Sequence, residues 1–319
     1  MIKTPTRSIR EAIPFAGIRS PSSGLVRRTR RPQSRWWTAW LFLAPALLLF
    51  LYFKFIPMFV GIQMSFQEVR PFLGSLWVGT DNYATVLTTD RFHNAVQNTG
   101  ILGVGKTIGA LLLGFVLALL LEGPSRMLWF VRTGVFLPVV TASAVVGEVW
   151  RIIYFPAAGG VMNGMLGLVG VEPLRYLEDP SIALYSVMAV SIWQSAPFYM
   201  VIFLAGLAGV DRSLYEAAAI DGAKLRHRIL YITIPGLRSA ILIVSVLAAV
   251  RVLRVFTEVW VLTGGGPAGS TQVWMTEIYT QGFLRNNMGV ASAASILLLV
   301  ASFMLTIIAV RASRNKEGD

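Results

Sequence analysis

Ser213-Leu214-Tyr215-Glu216-Ala217-Ala218-Ala219-Ile220-Asp221-Gly222, followed after nine residues by Ile232-Thr233-Ile234-Pro235, forms a polar stretch between two long apolar segments. Ser213 and Glu216 have the S-x-x-E spacing in which the serine caps the N3 amide and the glutamate reaches back to the cap. A short helix is predicted to begin there. Ala217, Ala218 and Ala219 favour helix and carry little bulk, so another surface can approach closely. Gly222 can take the left-handed conformation that closes a helix. Leu225, Ile229, Leu230 and Ile232, interleaved with Arg226, His227 and Arg228, predict a second amphipathic helix stopped near Pro235. The stretch suits a docking surface for a second protein, and it also suits an ordinary capped surface loop.

Outward from this loop the chain is apolar. Of its 319 residues, 55% are hydrophobic and 14% charged, with a mean hydropathy of +0.64. A soluble domain carries about a quarter charged residues, so the composition predicts a membrane protein. Cysteine is absent, which excludes disulfides and cysteine metal sites, and two histidines, His93 and His227, exclude a histidine-rich one. No metal site is expected.

Six segments reach the length of about 20 residues that a helix needs to cross a bilayer. They are expected at 37–62, 98–121, 133–154, 182–208, 237–262 and 289–311. The architecture predicted is an all-α membrane protein with six transmembrane helices. The first run is too long for the apolar region of a signal peptide and no A-x-A-like site ends it, so it is read as a span. Pro45, Pro57, Pro138 and Pro197 fall inside spans and predict kinks.

The net charge of +12 is concentrated at the N-terminus, where nine basic residues from Lys3 to Arg35 against Glu11 give +8. With its prolines and serines this region, 1–35, is expected to be a disordered tail attracted to anionic lipid. No aromatic platform accompanies it, so nucleic-acid binding is not expected. Basic residues also mark orientation. Arg126, Arg132, Arg212, Lys224, Arg226, Arg228, Arg238, Arg311, Arg314 and Lys316 share the side of the tail, against Arg70, Arg91, Arg151, Arg175 and Arg285 on the other. Both termini and the loop at 210–236 are therefore expected in the cytoplasm. The domains expected are the tail at 1–35, a six-helix membrane domain at 36–312, and a short cytoplasmic tail at 313–319.

Gly100-Ile101-Leu102-Gly103-Val104-Gly105-Lys106-Thr107 matches the P-loop pattern G-x-x-x-x-G-K-T. That pattern requires a preceding buried strand and access to nucleotide, and here it lies within an apolar span. Lys106 is read instead as snorkelling or facing the helix bundle. Arg251, Arg254 and Glu258 are spaced three and four apart, which on a continuous helix is one face. Arg254 and Glu258 are placed to pair while Arg251 meets a neighbouring subunit, and the set equally suits a solute pathway. Trp193, Gln194 and Ser195 beside Pro197 are further pathway candidates, since polar groups with aromatic faces near a kink suit a polyol or sugar. Glu148 and Arg151, three apart, are read as a structural pair.

Taken together, Glu216-Ala217-Ala218, Gly222 and Ile232-x-x-Pro235 resemble the EAA signature of ABC importer permeases, with Ile234 in place of the usual leucine. Phe256, Glu258, Trp260, Leu262 and Thr263-Gly264-Gly265-Gly266-Pro267 are similar to the end of the penultimate core helix in carbohydrate permeases of the maltose and glycerol-phosphate type. Asn98-Thr99 and Trp193 with Pro197 also look like that family. The likeness covers residues 36–312.

The resemblance implies a type I ABC importer permease in a bacterial inner membrane. Its helix from Ser213 to Asp221 would be the coupling helix, seated in a groove of a cytoplasmic ATPase dimer that binds ATP and magnesium, so that this chain carries no cofactor. The other partners implied are a second, different permease chain, an external substrate-binding protein and membrane lipid. The competing readings, a channel or a membrane-embedded hydrolase or acyltransferase, lack a selectivity filter and an in-span base and nucleophile.

Overall fold

Breaks in two of the apolar segments shape this molecule. The computed structural model describes residues 36–70, 73–157 and 159–315, so the basic tail at 1–35 and residues 316–319 lie outside the described residues. The chain divides into two compact units, 1–55 and 56–319. In the first, α1 (Trp36–Phe50) carries Pro45 and runs into a π-helical turn at Leu51–Phe55. Its apolar side chains face outward, with Leu41, Phe42 and Phe53 at least 70% exposed. A helix can expose such a surface in lipid because its backbone groups are satisfied internally.

The second unit begins with α2 (Ile56–Met64) and a two-stranded ribbon, in which β1 (Gln67–Glu68) pairs antiparallel with β2 (Leu76–Trp77). Next come α3 (Asp81–Thr88), the long α4 (Asp90–Leu120), α5 (Arg126–Val140), α6 (Ser143–Ile153) and α7 (Val161–Gly167). Then follow α8 (Ala183–Leu207), α9 (Arg212–Ile220), α10 (Leu225–Arg228), α11 (Ile234–Gly236), α12 (Arg238–Val252), α13 (Thr257–Thr263), α14 (Trp274–Tyr279) and α15 (Met288–Asn315). Further π-helical turns lie at Ile229–Thr233 and Thr280–Leu284.

Among the described residues four helices are long and apolar enough to cross a membrane: Trp40–Met64, Asp90–Leu120, Ala183–Leu207 and Met288–Arg311. The expected third span is two helices, α5 and α6, bent by 101° at 141–142, just past Pro138. Pro138 removes the bond to Gly134 O, yet α5 continues to Val140 and the Thr141 amide still donates to Leu137 O at 3.1 Å, so the break lies beyond the bond that the proline removes. Pro197 likewise lies within α8, which continues to Leu207. The expected fifth span, 237–262, is also not continuous. It opens at a 68° bend after Gly236, runs as α12, unwinds at 253–256 and resumes as α13.

The centre of the unit is α4 packed along α8. Between helices in lipid, apolar burial drives little, and close approach of small residues does more. At Gly114 an added Cβ would lie 2.7 Å from Ala196 O, and at Gly105 and Gly109 it would strike the side chains of Met188 and Ile192. The second and third glycines of the P-loop-like pattern are thus packing residues, Gly103 against Val252 and Gly105 against Met188. Around this pair, Leu207, Leu237 and Val244 join one apolar cluster, and Leu102, Val187, Val259 and Val273 a second. Val86, Phe92, Trp274 and Leu298 form a third, tying α3, α14 and α15 together.

Candidate functional site

The polar stretch folds as two short helical segments joined at Gly222. The first is α9, but its cap is Asp211 and not Ser213: the Asp211 carboxylate accepts from the Ser213 amide at 2.9 Å. The expected capping box between Ser213 and Glu216 is therefore displaced. Aspartate two residues earlier is an equally strong cap, and it places Ser213 inside the first turn. That amide also holds the Asp211 carboxyl below the ordinary aspartate range. At the other end Asp221 is the C-cap and Gly222 has φ +71°. Gly222 N–H donates to Ala219 O at 3.2 Å and Ala223 N–H to Ala218 O at 2.8 Å. This 5→2 and 6→1 pair is a Schellman motif, which closes the helix.

The second segment, Leu225–Gly236, contains α10, a π turn and α11, and Pro235 stands one residue before its end. Arg228 Nε donates to Ala223 O at 2.9 Å, and Tyr215 Oη lies 3.0 Å from Thr233 Oγ1, so the two segments brace each other. Ile232 is half-buried on that inner side. The outer side is open: Glu216 and Ala217 are exposed, and Ile220 is 87% exposed.

A cavity of about 270 Å³ lies between α4, α8, the α5–α6 bend and the unwound turn after α12. Lys106, Gln194, Ser195, Arg251, Arg254 and Glu258 line it. Because the helix breaks at 253–256, Arg251, Arg254 and Glu258 do not share one helical face. The expected pairing of Arg254 with Glu258 does not form. Glu258 instead pairs with Lys106, Nζ to Oε1 at 2.8 Å, so Lys106 faces the bundle. Arg251 lies over the Phe198 ring, 4.9 Å from its centroid, and Gln194 Nε2 donates to Ser143 Oγ at 3.2 Å. Trp193 stands outside the lining, 42% exposed and edge-on to Trp150. Glu148 and Arg151 do pair, at 3.2 Å, on an exposed surface.

The glycine-rich loop after α13 is tightly built. Gly264 caps α13 with φ +61°, Thr263 Oγ1 meets Thr271 Oγ1 at 2.7 Å, and the Gly266–Pro267 peptide is cis. Gly265 has φ +89°, and a Cβ there would strike Gln272 Oε1. Asn98 Nδ2 donates to both Ser270 O and Gln272 O at 3.0 Å, and Thr99 Oγ1 accepts from the Trp274 amide at 2.8 Å. Asn98-Thr99 and the glycine loop, 165 positions apart in sequence from Asn98 to Thr263, are thus one structural unit.

A family model described as binding-protein-dependent transport system inner membrane component matches residues 45–316. The chain belongs to this family. It is 35% identical over 265 residues to a probable ABC transporter permease protein of Pyrococcus horikoshii, covering 82% of this chain and 90% of the relative. It is 30% identical over 279 residues to a trehalose/maltose transport system permease protein of Thermococcus litoralis, with coverages of 86% and 93%. A chain in the crystal structure of a bacterial alginate ABC transporter, in complex with an alginate pentasaccharide-bound periplasmic protein, superposes with a TM-score of 0.75. The two are 26% identical, over 88% of this chain and 94% of that one.

This permease is therefore a multi-pass membrane component of an ABC importer with the type I fold, a transport subunit and not an enzyme. Two features of the permease escaped sequence reasoning. Lys106 and Glu258 are 152 positions apart, and no periodicity links them. Glu277 is buried, accepting from Arg91 Nε at 2.8 Å and from Gln272 and Gln281 at 2.9 and 2.7 Å. Its one visible signal is a glutamate within an otherwise uncharged run, Val273 to Phe283.

Proposed function

We propose that this permease forms half of the transmembrane pathway for a sugar or a related polyol or glycerol-phosphate-type solute delivered by an external binding protein. Access to the cavity alternates between the two membrane faces, driven by a separate ATPase. The observation that carries this reading is α9: a helix capped at both ends and braced from behind, yet with Ile220 87% exposed on a polar loop. A rigid, small-residue helix with an uncovered apolar end fits a groove on a partner. Ser213, Glu216, Ala217, Ala218 and Asp221 would enter that groove, while Gly222, Ile232 and Pro235 set its geometry.

ATP and magnesium belong to the ATPase partner in this reading. The G-x-x-x-x-G-K-T stretch of this chain lies inside α4, where its amides bond within the helix and cannot cradle phosphate. Charge asymmetry supports cytoplasmic termini and a cytoplasmic α9, and the open cavity wall supports a second permease chain as the other half. The names of the relatives, a trehalose/maltose permease and an alginate transporter, support a saccharide-type solute. Thr263, Gly264, Gly265, Gly266 and Pro267, held by Asn98, would form the outer end of the pathway.

The test is copurification with the ATPase and assay of transport-coupled hydrolysis. Glu216→Lys and Gly222→Asp are expected to lose both. If both variants bind the ATPase and couple hydrolysis as the parent does, the docking assignment fails.

A further inference from the structure

The cavity holds more positive charge than the chain neutralises. Lys106, Arg251 and Arg254 face the single carboxylate of Glu258, a formal excess of +2. Glu258 is already engaged by Lys106 at 2.8 Å. Neither arginine has a carboxylate within ion-pair distance among the described residues. The Phe198 ring lies 4.9 Å from the Arg251 guanidinium carbon but offers no acceptor for the in-plane N–H donors.

Cations inside a membrane segment are costly and are found paired or facing a wet cavity. Two sources of negative charge fit this requirement: an acidic side chain of the second permease chain, or the solute. The backbone distinguishes them. Non-helical backbone at membrane depth is tolerated where it lines a cavity, and here both breaks, at 141–142 and 253–256, flank this one, with Ser143 and Arg254 on its wall. Neutral hydrogen-bonding groups, Gln194, Ser195 and Thr107, stand on the same wall. Its volume of about 270 Å³ is several times the roughly 30 Å³ share of one water. A bare ion pair to a neighbouring subunit needs neither the volume nor the neutral donors.

We infer that the solute carried is anionic, a saccharide or polyol bearing a carboxylate, phosphate or sulfonate, and that Arg251 and Arg254 receive its charged group. This rests on the importer reading above and narrows its substrate class. Lys106, neutralised by Glu258, contributes little attraction while that pair is closed.

The chain contains no cysteine, so Ser195→Cys places a unique thiol of this chain on the cavity wall. In the importer assembled with its partners, the modification rate of this thiol is measured with an anionic reagent, sulfonatoethyl methanethiosulfonate, and with a cationic one, trimethylammonioethyl methanethiosulfonate. Each rate is divided by that of free cysteine. The anionic reagent is expected to react at least tenfold faster. Its advantage should fall below threefold when Arg251→Gln and Arg254→Gln are combined, and also in high salt, which screens exposed charge. Arg251→Lys with Arg254→Lys should preserve it.

An advantage below threefold in Ser195→Cys with both arginines intact, as an acid from the second permease would produce, overturns the inference. So does an advantage that survives the double glutamine variant, or a thiol closed to both reagents with and without ATP. Because labelling needs no turnover, it stands apart from the coupling test: loss of the charge ratio removes the anionic class, whereas intact coupling in both Glu216→Lys and Gly222→Asp removes the docking assignment.

Discussion

Lys106 Nζ lies 2.8 Å from Glu258 Oε1, tying the continuous helix α4 to α13 across the unwound turn at 253–256. The two side chains keep 21% and 17% exposure and share their cavity with two further cations. The single variants are therefore not equivalent. Glu258→Gln leaves three cations with no acid, whereas Lys106→Met leaves Glu258 with arginines on the same wall. Removing one partner of a fully buried pair costs about 3–5 kcal/mol. With partial exposure, Glu258→Gln should cost about 2 kcal/mol and Lys106→Met clearly less. Thermal unfolding in detergent measures both, and equal or negligible shifts would show that the pair holds nothing together.

Gly265 and Gly269 separate strain from collision. Both have positive φ, +89° and +81°, but only at Gly265 does an added Cβ meet an atom, Gln272 Oε1. Gly269→Ala should cost about 1 kcal/mol, the ordinary cost of a left-handed conformation for an L residue. Gly265→Ala adds displacement of Gln272, whose Nε2 donates to the buried Glu277 at 2.9 Å, and should cost about 2–4 kcal/mol. Tm values of the two variants decide it. Equal losses would mean that Gln272 swings away freely and that the loop is not locked to Glu277.

Much of this was legible in the sequence, and the exceptions share a cause. Apolar length located the four uninterrupted spans, because period and hydropathy are local quantities. Gly222 and Pro235 were legible because turn chemistry is local too. The spacing of Arg251, Arg254 and Glu258 misled, since it assumes an unbroken helix and the chain unwinds at 253–256. No proline marks that turn, so no local signal exposed it. Partners such as Lys106 with Glu258, or Asn98 with the glycine loop, are chosen by packing across the bundle. The resemblance grouped Asn98 with Gly264–Gly266, but only the fold shows that Nδ2 of Asn98 bridges Ser270 and Gln272. Ser213 lost its expected cap because Asp211, two residues earlier and as good a cap, takes that position and leaves Ser213 inside the first turn.

Gly222 closes α9 with φ +71° and open space around its Cα. An alanine there meets no atom, so the whole effect is backbone strain of about 1–2 kcal/mol, and asparagine, which tolerates this conformation, should recover most of it. The fraction of ATPase retained on copurification should fall several-fold for Gly222→Ala and return toward the parent for Gly222→Asn. Identical retention in all three would separate the shape of this turn from docking.

The start of α9 carries a pH signature. Asp211 accepts from the Ser213 amide, and that bond holds its carboxyl below the ordinary value of 3.8. A carboxyl whose pKa is depressed on folding contributes stability that is fully present above its ordinary value and lost as pH falls through the folded value. The first turn of α9 should therefore be insensitive to pH from neutrality down to about 5 and should fray only in stronger acid. Asp211→Asn keeps an acceptor without a titrating proton and should remove the acid transition, whereas Asp211→Ala should fray at every pH. Protection of the Ser213 amide in hydrogen exchange, corrected for intrinsic rate at each pH, reads all three. If Asp211→Asn loses protection in acid along the same curve as the parent, the transition belongs to another carboxylate and the Asp211 cap does not govern this end of the helix.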